Sequence, residues 1–353
     1  MSDKAGSVAL VGGSGLVGTA LAAHLGASSR RVLVVDRAAP RAARATPSSA
    51  TATKTASFVR VDLTDDGAED ALLAAWSTHA VDVVVHLAAR VDPPGDDDDR
   101  TRMRRLHEHG TRAAVRAARR AGVRRFVLVS STVVYGAWPD NPVPLAVDAP
   151  VRPCAFPYAM DKALQERVAR AAWREDGDGD DDDGLAIVRP GIVYAPQARS
   201  YLTEILRRVR LPLPSLLRRS GLPRGALPAL NGHRPPLQFV HVDDVAAVLA
   251  AVVDHEGAGV FHAASADWLA YEDVARAAGL AVVDVDARLT GAVLDRLVPW
   301  LPPSLRAPSS LFPYLMHPFV VSMTTTAARL GVRPRWSSRE ALQAMLDGPG
   351  ADR

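Results

Sequence analysis

Through the first half of the chain, short apolar runs alternate with longer stretches in which apolar residues recur at helical spacing. The runs Val8–Val11, Arg31–Asp36, Phe58–Val61, Val81–Leu87, Arg125–Ser130 and Leu185–Val188 are predicted strands. Between them the pattern predicts helices, including a long one from the acidic run Asp96–Asp99 to about Ala121 and another over Tyr158–Trp173. Strands that alternate with helices imply a parallel sheet with crossover helices, an α/β fold. After Tyr194 the rhythm changes. Phe239–Val242 reads as a strand returning to the sheet, Asp243 as the cap of a helix over about 244–253, and Val260–Ala263 as another short strand. Ser337 and Glu340 have capping-box spacing and start a last helix.

The first strand runs into Gly12-Gly13-Ser14-Gly15-Leu16-Val17-Gly18. Glycine permits positive φ and lets another group lie against the backbone. The N–H groups opening the following helix then face an anion, helped by the helix dipole. A dinucleotide pyrophosphate is the natural occupant. The second strand ends in Asp36, at the remove where a ribose-binding carboxylate belongs.

Composition narrows the class. The 353 residues are enough for one large α/β domain and a smaller lobe. The net charge of +3 is close to balance, so the basic character does not call for a nucleic-acid partner. A single cysteine, Cys154, rules out an internal disulfide and suits a reducing cytoplasm. No apolar stretch is long enough to span a bilayer. Only three of the 42 basic residues are lysines: Lys4, Lys54 and Lys162.

Lys162 follows Tyr158 by four residues, which puts both on one face of a helix. A nearby ammonium favours the phenolate, so the pair suits proton transfer. Ser130-Ser131-Thr132 closes the fifth strand, and the carboxyl ends of strands in such sheets are where ligands bind. A hydroxyl there can bond to a substrate oxygen.

Together these motifs resemble an extended short-chain dehydrogenase/reductase of the NAD-dependent epimerase/dehydratase type. The matching pieces are Gly12-x-x-Gly15-x-x-Gly18, Asp36, Asp62-Leu63, His86-Leu87-Ala88-Ala89, Gly110-Thr111, Ser131 before Tyr135-Gly136, Tyr158-x-x-x-Lys162, Arg189 to Tyr194, Phe239 to Asp244, and Leu330-Gly331-x-x-Pro334. The resemblance implies a Rossmann-type doubly wound parallel sheet over residues 1–195, with sheet elements returning at about 237–264. Residues 196–236 and 265–353 would form a smaller C-terminal substrate-binding lobe. It implies NAD as cofactor. Gly12, Gly15, Leu16, Val17, Gly18, Asp36, Arg37, Asp62, Leu63, Leu87, Ala88, Ala89, Pro190, Gly191 and Val193 would bind it with Tyr158 and Lys162. It implies Tyr158 as acid/base, Ser131 as the group orienting the substrate oxygen, and Lys162 as the residue that holds the ribose and lowers the tyrosine pKa.

Two positions depart from the pattern. His107 stands where the family often has asparagine. Leu237 and Gln238 stand where sugar-nucleotide epimerases often carry an arginine that grips the substrate diphosphate; Arg234 is the nearby substitute. Residues 201–236 carry seven arginines against one glutamate, which suits either a flap over an anionic substrate or a solvated face. The expected reaction is hydride transfer at a carbinol or carbonyl carbon of a sugar nucleotide or of a lipophilic alcohol or ketone; residues 285–320, rich in leucine and proline, suit the latter, and ordinary core packing explains them as well. No metal is expected. His107 and His109 point to different faces of a helix, and the acidic stretch 176–184 lacks the glycine and glutamate of a calcium loop. The expected partner is a small molecule, in a cytoplasmic enzyme compatible with a homodimer. The reading from a different class is a dinucleotide-binding regulator without turnover.

Overall fold

Seven parallel strands form the central sheet of the computed structural model. Residues 6–40, 56–90, 97–175, 184–194, 226–288 and 309–347 are described. The strands are β1 (Ser7–Val11), β2 (Val32–Asp36), β3 (Ala56–Arg60), β4 (Val81–His86), β5 (Arg125–Val129), β6 (Leu185–Pro190) and, returning to the sheet edge, Gly259–Ala263. Their order is β3-β2-β1-β4-β5-β6 followed by the returning strand. The order reverses between β1 and β4, so a crevice opens there at the carboxyl ends of the strands, where doubly wound sheets bind ligands.

Strand parity explains the two cores. Val8 and Leu10 of β1 face one side with Val32, Val34, Val83, Val85 and Val127, against Leu21 and Leu25 of α1 (Leu16–Ala27) and the helix Val242–Asp254. Ala9 and Val11 face the other side with Leu33, Val35, Val84, Phe126 and Leu128. There α2 (Ala68–His79), α4 (Thr111–Arg120) and α5 (Pro157–Arg174) cover the sheet. Alanines on the buried face of α4 let it lie close between its neighbours. Its arginines reach outward, Arg116 to Glu175 at 2.7 Å and Arg120 to Glu69 at 2.8 Å.

Three expectations are corrected. The long helix is broken: α3 (Asp97–Arg105) and α4 are separated by a π-helical turn, Leu106–Gly110. The strand Phe239–His241 does not join the main sheet; it pairs in parallel with Ile192–Tyr194. The next helix begins at Val242, and its cap is His241, whose Nδ1 accepts from the Asp243 N–H at 3.2 Å. The strand runs directly into the helix, so the imidazole reaches the first turn before the expected aspartate can. The capping box of the last helix, Ser338–Asp347, forms as expected: Glu340 Oε2 accepts from Ser337 N and Ser337 Oγ from Glu340 N. The loop expected over 38–55 and the acidic insertion 176–184 fall largely outside the described residues, as does most of 201–236 and of 285–320.

One buried ion pair joins these layers. The Arg189 guanidinium of β6 donates to both carboxylate oxygens of Glu166 on α5, at 2.8 and 2.6 Å. Their side chains are 3% and 5% exposed. Arg189 also donates to the Tyr135 hydroxyl at 2.7 Å, and that hydroxyl lies 2.6 Å from His262 Nε2. His262 Nδ1 lies 2.8 Å from the Ser322 carbonyl, which sets the ring as donor there and acceptor toward Tyr135. Glu166→Ala leaves a guanidinium buried without its carboxylate, and is expected to destabilise the fold by about 3–5 kcal/mol. An unfolding free energy from urea titration that falls by less than about 1 kcal/mol contradicts the expectation.

Candidate active site

The glycine turn separates three roles by space. Gly12 has φ +79°, and a Cβ there would lie 2.6 Å from Ala88 Cα, so only glycine lets the loop after β4 cross the turn. A Cβ on Gly18 would lie 2.5 Å from Gly13 Cα, against backbone that cannot move aside. At Gly15 the closest atom would be the Gly12 carbonyl at 3.4 Å. That side of the backbone is open, and Gly15 caps α1 with no side chain over its first N–H groups. An anion can approach there. Ser14 N–H donates to Asp36 Oδ2 at 3.1 Å, so the turn itself aims the carboxylate at the crevice. The arrangement fits a dinucleotide.

The other expected cofactor residues gather along the same strand ends. Leu87, Ala88 and Ala89 follow β4 and are half-buried, with Leu87 N–H bonded to the Val11 carbonyl at 2.7 Å. Pro190 ends β6, the Gly191 N–H donates to Ala263 O at 3.0 Å, and Val193 lies half-buried beyond. Asp62 follows β3; its Oδ1 accepts from Thr64 Oγ1 at 2.7 Å and Thr64 N at 2.9 Å. These bonds, and more weakly Arg37 and Arg60, hold its carboxyl below the ordinary range. Leu63 is buried beneath Gly110, and Arg37 is exposed.

Ser131, Tyr158 and Lys162 meet at the end of β5. Ser131 caps the 3-10 turn Thr132–Tyr135, accepting from Val133 N at 3.4 Å, and its hydroxyl is near enough to pull the Tyr158 phenol downward. Lys162 Nζ donates to the Val129 carbonyl at 2.8 Å and is 3% exposed. Burial pulls the ammonium down to about 7, against the opposing pull of Glu166 and Asp161. Burial also pushes the phenol up to about 12, with the Ser131 hydroxyl working the other way.

Sequence reasoning missed Gln165 and Glu166, and the bonds by which Gln165 joins the motif residues Thr111 and His86. Gln165 Nε2 donates to Ala88 O and to Thr111 Oγ1, each at 3.1 Å, and Thr111 Oγ1 lies 3.2 Å from His86 Nε2. His86 is fully buried, and burial, with lesser repulsion from Lys162 and His107, drives its pKa down to about 3. The available signal was helical spacing: Gln165 and Glu166 sit one turn beyond Lys162 on the same face. At the substrate side, Leu237 is buried and Gln238 is bonded internally to Ser265 O, Val321 O and Val321 N. Arg234 is paired with Asp284 at 2.8 Å and Glu272 at 3.3 Å. Arg224 lies outside the described residues. Among the described residues no cluster of three metal-ligating side chains occurs, and no helix is long and apolar enough to cross a membrane.

Two outcomes are expected. Gly15→Ala keeps the fold and weakens NADH binding, whereas Gly18→Ala lowers the melting temperature; calorimetric titration and thermal melts of both variants check the contrast. The buried lysine gives a pH signature. An unfolded lysine takes up its proton below about 10.5, whereas Lys162 in the fold does so only below about 7. The unfolded chain therefore binds more protons in that window, and stability rises with pH across it by up to about 1.4 kcal/mol per unit. Lys162→Met is expected to flatten that slope, as urea titrations between pH 7 and 10 would report.

The chain matches the model of the NAD dependent epimerase/dehydratase family over residues 8–264, well over half its length. It is 29% identical to the 3-diazoavenalumate denitrifying reductase of a Streptomyces species, over 91% of this chain and 90% of that protein. It is 24% identical to the dTDP-L-rhamnose 4-epimerase of Burkholderia thailandensis, over 94% and 91%. Among solved structures, the Thermus thermophilus UDP-glucose 4-epimerase complex with NAD superposes with a TM-score of 0.67 at 22% identity, covering 97% of this chain and 98% of that one. The dTDP-glucose 4,6-dehydratase of Bacillus anthracis, in complex with NAD, gives 0.68 at 13% identity, over 97% and 96%. With the glycine turn, Asp36 and the family match in agreement, the chain belongs to the NAD dependent epimerase/dehydratase family and is an enzyme whose cofactor is NAD.

Proposed function

We propose that this enzyme moves hydride between the nicotinamide of NAD and a carbinol or carbonyl carbon, with Tyr158 as acid/base. The observation that carries the reading is the meeting of Ser131, Tyr158 and Lys162 at the end of β5, beside the glycine turn. NAD, when bound, supplies the ring that gives or takes the hydride. The chain's own residues do the rest. The open backbone at Gly15, with Leu16 and Val17 in the first turn of α1, would receive the pyrophosphate, while Gly12 and Gly18 let the turn pack closely enough to present it. Asp36 takes the ribose hydroxyls and disfavours a 2′-phosphate, with Arg37 beside it. Asp62 and Leu63 flank the adenine. Leu87, Ala88 and Ala89 line the strand ends, and Pro190, Gly191 and Val193 border the nicotinamide. Lys162 reaches its ribose. Residues 265–353 contribute to the substrate lobe.

At neutral pH a phenol held near 12 keeps its proton, so Tyr158 is set to donate to a substrate oxygen as hydride reaches the adjacent carbon. Ser131 orients that oxygen. A lysine near 7 can hold or release a proton at Nζ within the working pH range. These settings favour reduction, and the Streptomyces relative named as a reductase supports it. Leu237 is buried and Gln238 is bonded inside the fold, so neither supplies the diphosphate grip of the sugar-nucleotide pattern, while Arg234 stands at the surface in exposed pairs with Asp284 and Glu272. A lipophilic ketone or alcohol is the better substrate class. A sugar nucleotide is the second reading, favoured by near full-length similarity to the rhamnose epimerase. Cofactor absorbance, followed against sugar nucleotides, sterols and small ketones, separates the two.

With a substrate found, Tyr158→Phe is expected to lower kcat by about 10²–10⁴-fold. Phenylalanine keeps the ring and its packing, so the NADH dissociation constant should stay put. Turnover near the parent rate would refute the assignment.

A further inference from the structure

We propose that Tyr314 is a positioning residue through which the segment 312–321 sets the Ser131 turn against the catalytic helix α5. Tyr314 lies on the short helix Phe312–Met316. Its Oη donates to the Val133 carbonyl at 2.7 Å. Val133 is also the residue whose N–H Ser131 Oγ accepts, at 3.4 Å. The same carbonyl takes the Gly136 N–H at 3.0 Å, so one oxygen receives both the bond that closes the turn and the bond from Tyr314. The Tyr314 ring packs edge-on against Phe156, with centroids 5.7 Å apart. Phe156 holds the N-cap position of α5, and its ring meets that of Tyr158 at 6.2 Å. Edge-to-face pairs at such distances are favourable and fix the tilt of one ring against the next. One side chain thus holds the turn that carries Ser131 by its hydroxyl and the start of the helix that carries Tyr158 by its ring.

Packing alone asks only for the ring, which phenylalanine would supply. Tyr314 is buried, and burial pushes its phenol up, with the Cys154 thiol beside it acting in the same direction. The hydroxyl therefore keeps its proton and stays a donor. The residues that follow are fastened from two sides. Asn141 Nδ2 donates to Gly136 O at 3.0 Å and to Pro318 O at 2.8 Å, which ties the far end of the same turn to the same segment. Leu145 N–H donates to Val320 O at 2.8 Å, and the Gln238 amide bonds both the N–H and the carbonyl of Val321. Phe319 closes on the Tyr314 ring at 5.2 Å. The turn is gripped at Val133 and at Gly136, on either side of Tyr135, whose hydroxyl receives Arg189. Arg189 and Glu166 hold α5 to the sheet, and Tyr314 holds the turn to α5. Residues 265–353 are read above as part of the substrate lobe. That lobe then does more than cover a substrate: it sets where the Ser131 hydroxyl stands relative to the Tyr158 phenol.

The proposal rests on the reading of Ser131 and Tyr158 as catalytic residues, and the first arm of its test needs no substrate. Amide hydrogen exchange is followed by mass spectrometry in the parent, Tyr314→Phe and Tyr314→Leu, with melting temperatures taken alongside. Tyr314→Phe keeps the ring and loses only the bond to Val133. Exchange in the turn 132–136 should quicken about tenfold, while the melting temperature falls by less than about 3 °C. Tyr314→Leu also loses the edge contact with Phe156, so exchange should quicken at the start of α5 as well. The second arm follows cofactor absorbance with cyclohexanone, a 3-oxosteroid and UDP-glucose. For any of these that is turned over, Tyr314→Phe should lower kcat about tenfold and leave KM within about twofold, since the bond orients a catalytic group and touches no substrate. Where none is turned over, the exchange arm alone decides. Unchanged exchange in 132–136, or faster exchange with unchanged kcat, would overturn the proposal. Exchange that quickens equally through the whole chain would assign Tyr314 to the core alone and overturn it too. Tyr158→Phe is run in parallel: turnover at the parent rate sinks the acid/base reading itself, whereas an inactive Tyr158→Phe beside an unslowed Tyr314→Phe sinks only the Tyr314 proposal.

Discussion

A guanidinium and a carboxylate, both shut away from water, hold the catalytic helix to the sheet. Glu166 lies one turn beyond Lys162 and two beyond Tyr158, so its bidentate bond to Arg189 fixes the rotation of α5 about its own axis. Arg189 ends its side chain on Tyr135, at the close of the short turn that Ser131 opens. One pair thus places the helix bearing two site residues and the turn bearing the third. Burial of such a pair is weak evidence of stabilisation, since desolvation offsets much of the attraction. Its value lies in geometry. An apolar contact would tolerate sliding and rotation, whereas a two-pronged planar bond does not.

The sheet sets the other half of the frame. Side chains alternate along β1, so Val8 and Leu10 anchor one layer of helices and Ala9 and Val11 the other. Nothing polar is needed until the strand ends, where Gly12 breaks the pattern and the backbone turns beneath α1. Most residues expected to touch the cofactor lie at or just beyond the carboxyl end of a strand, because a sheet buried on both faces offers open backbone only there, while Tyr158 and Lys162 come from α5.

What could be read from the chain follows from this division. Strands β1, β2, β4 and β5 announce themselves as apolar runs, since burial on both faces demands it; β1 closes on Gly12 and β2 on Asp36. The glycine turn, Asp36 and the Tyr158/Lys162 pair were legible because each depends on local spacing. The supporting residues were not. Glu166 and Arg189 are separated by a helix, a loop and a strand, and neither looks unusual in its own neighbourhood. His107 reads as one histidine of two in a polar helix until the π-helical turn rotates it inward. The strand Phe239–His241 has the composition of a main-sheet strand, but the edge beside β6 is taken by Gly259–Ala263, so it pairs with Ile192–Tyr194 instead.

The electrostatics of the trio turn on burial rather than on pairing. An ammonium beside a phenol would stabilise the phenolate in water-exposed surroundings. In this site desolvation acts on both groups and disfavours charge on each, moving Lys162 down and Tyr158 up. His86 beneath them follows the same rule and stays neutral. Burial thus disfavours charge on all three groups. A neutral proton donor is what a carbonyl oxygen gaining negative charge requires, and the same desolvation strengthens any hydrogen bond made to that oxygen. Gln165 Nε2 and His107 Nε2 give the strand-end backbone partners, bonding the Ala88 carbonyl and the Arg90 N–H, while His107 Nδ1, Gln165 Oε1 and His86 Nδ1 stay buried without one.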